Sequence, residues 1–248
     1  MLCACGLGAY KFAFYHLITH GFFKALLFFT CGIIIHNFQG EQDMRKMGNF
    51  IKYFPFSFSF FFAGTISLIG LPGTAGFYSK EKIIDYVSIL PFENTKVCYG
   101  FLLLGLSFTV LYSCRLFYYI FLSKDERGSK HSYNILKSNR AIATYTEAPL
   151  YILIPLLLLS FLSYYSGDIF YHYIASYGSN FMDNAFPFKS TNEYLNLIEE
   201  VGSPNGTITV WAMLFGLIMF FYSEVLLLEQ YFNPIEYFNN GRFNFIFY

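Results

Sequence analysis

Gly70-Leu-Pro-Gly-Thr-Ala-Gly-Phe-Tyr-Ser-Lys-Glu-Lys82 lies inside a long apolar run, and its reading decides the fold. Pro72 removes a backbone donor, and Gly70, Gly73 and Gly76 relax the chain around it, so a helix arriving here is interrupted. Lys80, Glu81 and Lys82 follow at once. In a bilayer, broken backbone is tolerated only where it is buried in protein or lines a wet cavity. A charge at that depth costs roughly 2.5–3.5 kcal/mol on insertion scales. A discontinuous membrane helix carrying a lysine therefore points to an ion path.

Composition agrees. Only 13% of the 248 residues are charged and 55% are hydrophobic, where a soluble domain carries about 25% charged residues. Mean hydropathy is +0.43. A soluble enzyme is excluded, and the chain reads as an integral membrane protein in contact with lipid. Sixteen basic and sixteen acidic residues cancel, which leaves no case for nucleic-acid binding. The five cysteines (Cys3, Cys5, Cys31, Cys98 and Cys114) form no CxxC pair and read as small apolar fillers. With 33 Phe and 22 Tyr, phenylalanine takes the place of leucine against lipid, a bias that fits an AT-rich organellar genome.

The fold class expected is all-α, with about five transmembrane helices. Their approximate limits are Phe12–His36, Phe54–Leu90, Val97–Leu122, Ala148–Tyr173 and Thr207–Glu229, each near or above the roughly 20 residues a crossing needs. The second is too long for one crossing and short for two. Two half-helices meeting near the midplane at Pro72–Phe77 account for its length. Residues 1–122 form the expected channel core. Residues 123–248 add peripheral spans, a long acidic outer loop and a short tail.

Loops give the orientation. Arg45, Lys46 and Lys52 lie in one loop, and Lys124, Arg127, Lys130, Lys137 and Arg140 in another; five crossings put both on one side. The opposite side has only Lys96 and Lys189. Basic loops face the compartment of synthesis, so Met1 is expected outside and Tyr248 inside.

Within the first span, His16, His20 and Lys24 recur every four residues, which stacks them on one helix face about 6 Å apart. Three readings compete. The histidines can be satisfied bundle-core residues with Lys24 snorkelling, although Lys24 is mid-span. They can share a metal, although no Glu stands between them as in HExxH and no further ligands cluster nearby. Or they form a hydrated chain of titratable groups that passes protons, since histidine titrates near neutrality and burial brings lysine towards the same range. The last reading carries most weight. Lys80 is then the next station, with Glu81 as its ion-pair partner or the acceptor beyond it, and Asp85 one turn further on. Lys80–Lys82 can also mark a solvated helix end, but the apolar residues Ile83, Ile84, Val87 and Ile89 follow. Arg115 is always charged and cannot relay protons; it is expected to pair with a carboxylate or bias a nearby lysine. Asp168, Glu224 and Glu229 fall near span ends and receive no role.

Three stretches carry a resemblance: His16-Leu-Ile-Thr-His-Gly-Phe-Phe-Lys-Ala-Leu-Leu-Phe28; Ile34-Ile-His36 running to Glu41-Gln-Asp-Met-Arg-Lys-Met-Gly48; and Gly70-Leu-Pro to Gly76-Phe-Tyr-Ser-Lys80. In order and spacing, over residues 7–90, the chain resembles the chain 5 family of antiporter-like membrane subunits of mitochondrial NADH:ubiquinone oxidoreductase (respiratory complex I). The resemblance implies a proton-translocating subunit of the mitochondrial inner membrane. Lys24, with His16 and His20, would be the central hydrophilic axis. Lys80 would be the lysine of the second discontinuous helix, near the proton exit, with Glu81 where the family usually has Asp. His36, Asp43 and Arg45 would be electrostatic or structural residues on the matrix side, beside Pro72 at the break and Arg115 in the third span. No cofactor is expected on this chain; NADH, FMN, iron–sulfur clusters and ubiquinone belong elsewhere in the complex.

Family members are much longer. The helices that precede the His16 segment and the long lateral helix have no counterpart here, so the chain reads as a C-terminal-half fragment of the subunit. A chain starting at Met1 implies a split gene, with an N-terminal-half chain and the other membrane-arm subunits as partners. Two alternatives remain: a subunit fragment of a multi-component sodium/proton antiporter or hydrogenase, and a structural scaffold that does not pump.

Overall fold

A computed structural model describes residues 1–38, 40–44, 47–123, 148–176 and 206–232. Arg45, Lys46, most of both long loops and the tail after 232 lie outside the described residues, and with them most of the charge used to orient the chain. The elements are α1 (Leu2–Gly6), α2 (Tyr10–Asn37), α3 (Pro55–Ile69), α4 (Ala75–Ile89), α5 (Glu93–Phe117), α6 (Leu150–Phe170) and α7 (Gly206–Phe232). Widened π-helical turns at Tyr118–Leu122 and Tyr171–Ala175 extend α5 and α6. No strand occurs among the described residues. The protein is all-α.

Among the described residues, four helical stretches are long and apolar enough to cross a membrane: Tyr10–Asn37, Asn94–Leu122, Leu150–Ala175 and Gly206–Glu224. The expected second span is broken, as its sequence requires. α3 and α4 have 15 residues each, or roughly 22 Å, short of the hydrocarbon core of roughly 30 Å. End to end they supply the length of a fifth crossing. Pro55 opens α3 at a position where its missing N–H is not needed. Gly70, at φ +88°, closes it in the left-handed region, its N–H donating to Ile66 O at 3.0 Å. Thr74 then caps α4, its Oγ1 accepting from Phe77 N at 3.4 Å. The break thus runs from Gly70 to Thr74, a little earlier than expected, because the Thr74 cap draws Phe77 into the helix.

Two apolar clusters mark the poles of the bundle. At one, Ala4, Phe12, Ile83, Tyr86, Leu90 and Ile174 pack together. At the other, Phe38 meets Phe50, Phe54 and Phe121. A third cluster joins Ile33 and Phe60 to Ala148. The chain after α2 and the chain after α5 therefore leave from the same pole, the arrangement that five crossings demand. α3 starts at that pole and α4 ends at the opposite one.

Small residues bring the helices close, as is usual in membranes. A Cβ on Gly167 of α6 would lie 2.8 Å from Ala75 Cα, and Tyr15 OH donates to Gly167 O at 2.6 Å. Ser67 Oγ of α3 donates to Ser163 O of α6 at 3.0 Å. A Cβ on Gly216 of α7 would lie 2.5 Å from Ser107 O of α5, and Ser107 Oγ donates to Ala212 O. The spans after residue 123 thus enter the same bundle as α2–α5. Phe101, Leu150 and Trp211 point outwards and are strongly exposed, as lipid-facing side chains are.

Candidate ion path at the helix break

The break leaves the end of α3 with carbonyls that no following helical turn can satisfy. Lys80 fills that role. Its Nζ donates to Leu68 O at 3.3 Å and to Ile69 O at 3.4 Å. An ammonium at a helix C-terminus is favoured by the helix dipole as well as by the two hydrogen bonds. The lysine reaches these atoms because the first turn of α4 lies hard against the last turn of α3. A Cβ on Gly76 would come within 1.8 Å of Ser67 O, and Gly76 N donates to Ser67 Oγ at 3.3 Å. Only glycine permits this approach. Among the described residues, no carboxylate pairs with Lys80.

One residue before Lys80, Ser79 turns towards α2. It is fully buried. Its Oγ lies 2.9 Å from His16 Nδ1, accepts from Thr19 Oγ1 at 2.9 Å and donates to Ala75 O at 3.0 Å. The His16 and His20 rings follow each other at 5.8 Å along α2. Imidazole, two hydroxyls and the helix break thus form a polar seam between α2 and α4. A hydroxyl both donates and accepts, so Ser79 can exchange hydrogen-bond roles with His16 without moving a heavy atom.

The remaining axis residues separate. Lys24 lines a cavity of about 140 Å³ between α2, α3 and α5, shared with Thr65, Tyr112 and Ser113. Lys80 and Glu81 line a smaller one of about 10 Å³ with Thr209 of α7, about the size of one water. Thr209 Oγ1 donates to Glu81 Oε1 at 3.5 Å, and Asp85 lies fully buried one turn on. His36 is exposed at the far end of α2, and Asp43 lies in the loop after it. Pro72 sits exposed on the break itself. Arg115 is not on the seam. Its Nε lies 4.0 Å from Glu224 Oε1 of α7, its guanidinium 5.7 Å from the Tyr119 ring centre, and Tyr119 OH donates to Glu224 Oε2 at 3.2 Å. Among the described residues no cluster of three His, Cys, Asp or Glu side chains is placed to hold a metal.

Ser79 and Thr209 were not singled out by sequence reasoning, and Glu224, given no role there as a residue near a span end, faces Arg115. Ser79 had a local signal, a hydroxyl beside Lys80 directly after the break. Thr209 and Glu224 had none, because their partners lie more than a hundred residues away in sequence.

Comparison with known proteins addresses the same segment. The family described as "NADH:quinone oxidoreductase/Mrp antiporter, TM" matches residues 1–114, which contain α1–α4, the break and most of α5. NADH-ubiquinone oxidoreductase chain 5 of Phytophthora infestans is 36% identical over 195 residues, covering 79% of this chain and 28% of that protein. The chain is a relative of chain 5. The protein of the same name from Chondrus crispus is 36% identical over 186 residues, 73% of this chain and 26% of its own length. That from Rhizopus stolonifer is 34% identical over 204 residues, 82% of this chain and 30% of its own. This chain therefore spans under a third of the length of these chain 5 proteins, and the residues that the family model matches include the seam and the broken helix.

Proposed function

We propose that this chain forms the C-terminal part of a proton path in the membrane arm of NADH:ubiquinone oxidoreductase, in the mitochondrial inner membrane. The observation that carries the proposal is the placement of Lys80 on the free carbonyls of the broken helix, beside the His16–Ser79–Thr19 seam. Neutral dipoles hold this ammonium, so losing its proton strands no counter-ion, and the amine still has N–H groups to donate to Leu68 and Ile69. Protons enter from the Lys24 cavity, pass through water and the His20–His16–Ser79 seam to Lys80, and leave past Glu81 and Thr209. Like charges on neighbouring cations disfavour each other, so protonating one station helps discharge the next. Redox chemistry elsewhere in the assembly supplies the drive. An N-terminal-half chain and the other membrane-arm subunits supply the rest of the path, against the exposed side of α2 that carries Leu17, Phe28 and Phe29. The similarity to NADH-ubiquinone oxidoreductase chain 5 favours this assembly over an antiporter of the Mrp kind, which the matching family also includes.

Lys80→Met and Lys24→Met keep side-chain length and remove the charge. In the assembled complex each should lower protons moved per electron while leaving the amount of complex unchanged. Lys80→Arg, which keeps the charge but cannot release it, should fail in the same way. Normal proton stoichiometry in the methionine variants would refute the proposal.

A further inference from the structure

α1 lies across the pole that α4 reaches and α5 leaves. Ala4 and Ala9 are buried against Ile83, Tyr86 and Leu90 of α4, and Tyr86 OH donates to Leu7 O at 3.4 Å. On its other side, Cys3 Sγ lies 2.8 Å from Cys98 Sγ of α5, a contact bridging 95 residues of sequence. The bonded distance is about 2.05 Å, so closure asks for less than 1 Å of sulfur movement. The other cysteines behave differently: Cys31 and Cys114 pack singly in apolar clusters, and Cys5 is exposed two residues from Cys3. The reading of all five as apolar fillers therefore suits Cys31 and Cys114 and not this pair. The pair lies at the pole away from the basic loops.

We propose that Cys3 and Cys98 are a dithiol–disulfide site that staples α1 to α5 over the end of α4. Its oxidant is a small disulfide of the glutathione class. One thiolate attacks that disulfide to give a mixed disulfide and release one small thiol; the second cysteine then displaces the other. In balance, Cys3–SH, Cys98–SH and RSSR give the Cys3–Cys98 disulfide and two RSH, the two protons leaving on the released thiols. Burial, and after it the hydrogen bond to Cys98, pushes the Cys3 thiol up to about 11, and the Cys98 sulfur beside it is placed to close the bridge from either end. Closing the staple pins α1 on the end of the helix that carries Lys80 and Glu81.

The test uses native membranes holding the whole chain. They are treated with oxidised glutathione, quenched with N-ethylmaleimide, digested without reduction and read by mass spectrometry. Maleimide-reactive thiols should fall from the five cysteines to three, with a Cys3 peptide joined to a Cys98 peptide. Cys3→Ser and Cys98→Ser should each abolish the linked peptide and stop the exchange at the mixed disulfide with glutathione on the cysteine that remains. The oxidised chain should unfold at a higher temperature than the reduced one, a difference that Cys98→Ser abolishes. A Cys3–Cys5 link, a Cys5–Cys98 link, or Cys3 and Cys98 labelling as readily as Cys5 after oxidation would overturn the proposal.

Discussion

Lys80 and Arg115 are both cations in the helical bundle, and they are held in opposite ways. Lys80 rests on two neutral carbonyls at the open end of α3. Arg115 faces the Glu224 carboxylate and the Tyr119 ring, across the interface of α5 with α7. Taking the proton from Lys80 leaves ordinary helix-end carbonyls behind. Taking the charge from Arg115 leaves a largely buried anion. The first arrangement suits a group that cycles between charge states, and the second a tie that never changes. The backbone break makes the difference, because an unbroken helix has no free carbonyls to offer.

The comparison breaks most completely at Gly76. An added Cβ would meet Ser67 O at 1.8 Å, a backbone atom with no freedom to turn aside. Gly76→Ala must push α4 off α3 and take Lys80 from its carbonyls. The expected cost is about 3 kcal/mol or more, read as loss of assembled complex on native gels and rapid proteolysis at the break. Gly105→Ala on α5, where nothing lies within 4 Å, should leave assembly unchanged. A Gly76→Ala variant that assembles at normal levels would show that the half-helices do not approach so closely.

The fixed side of the comparison is tested at Arg115. Arg115→Met should destabilise the assembly by about 1–3 kcal/mol, because Glu224 loses the guanidinium it faces across the α5–α7 interface. Adding Glu224→Gln should recover part of that loss, since no buried charge then remains. Proton stoichiometry should stay normal in whatever complex survives. A fall in protons per electron at unchanged stability would instead place Arg115 on the path.

How much of this was legible in the sequence follows from the range of each interaction. Pro72, the glycines around it and the cap at Thr74 act within a few residues, so the broken span could be read directly and its limits missed by only a few positions. The four-residue spacing of His16, His20 and Lys24 likewise fixed a shared helix face. It did not fix which neighbour each side chain meets: His16 turns to Ser79 of α4, and Lys24 to a cavity walled by α3 and α5. That division depends on how α2 is rotated in the bundle, which packing at Gly64, Gly76 and Gly167 decides. Arg115 could be expected to want a carboxylate, but Glu224 lies at the far end of the chain and no local pattern names it. Cys3 and Cys98 illustrate the same limit, two unremarkable cysteines in the sequence and neighbours in the fold.

The smallest effect expected is at Ser79, and it bears most directly on whether the seam carries protons or only joins two helices. Ser79→Ala removes one buried hydroxyl. Thr19 keeps its own bonds to the Tyr15 and His16 carbonyls at 3.2 Å, so it is not orphaned. His16 Nδ1 loses its partner on α4. A purely structural seam would show a loss of about 1 kcal/mol in stability and an unchanged turnover rate. A conducting seam would show the same small loss together with slower coupled turnover, because the histidine is cut off from the hydroxyl that leads to Lys80. Ser79→Thr, which restores the hydroxyl, should then recover the rate even where its extra methyl group costs stability. A rate unchanged in both variants would argue for a structural seam, and a rate that falls in Ser79→Ala and returns in Ser79→Thr would argue for a conducting one.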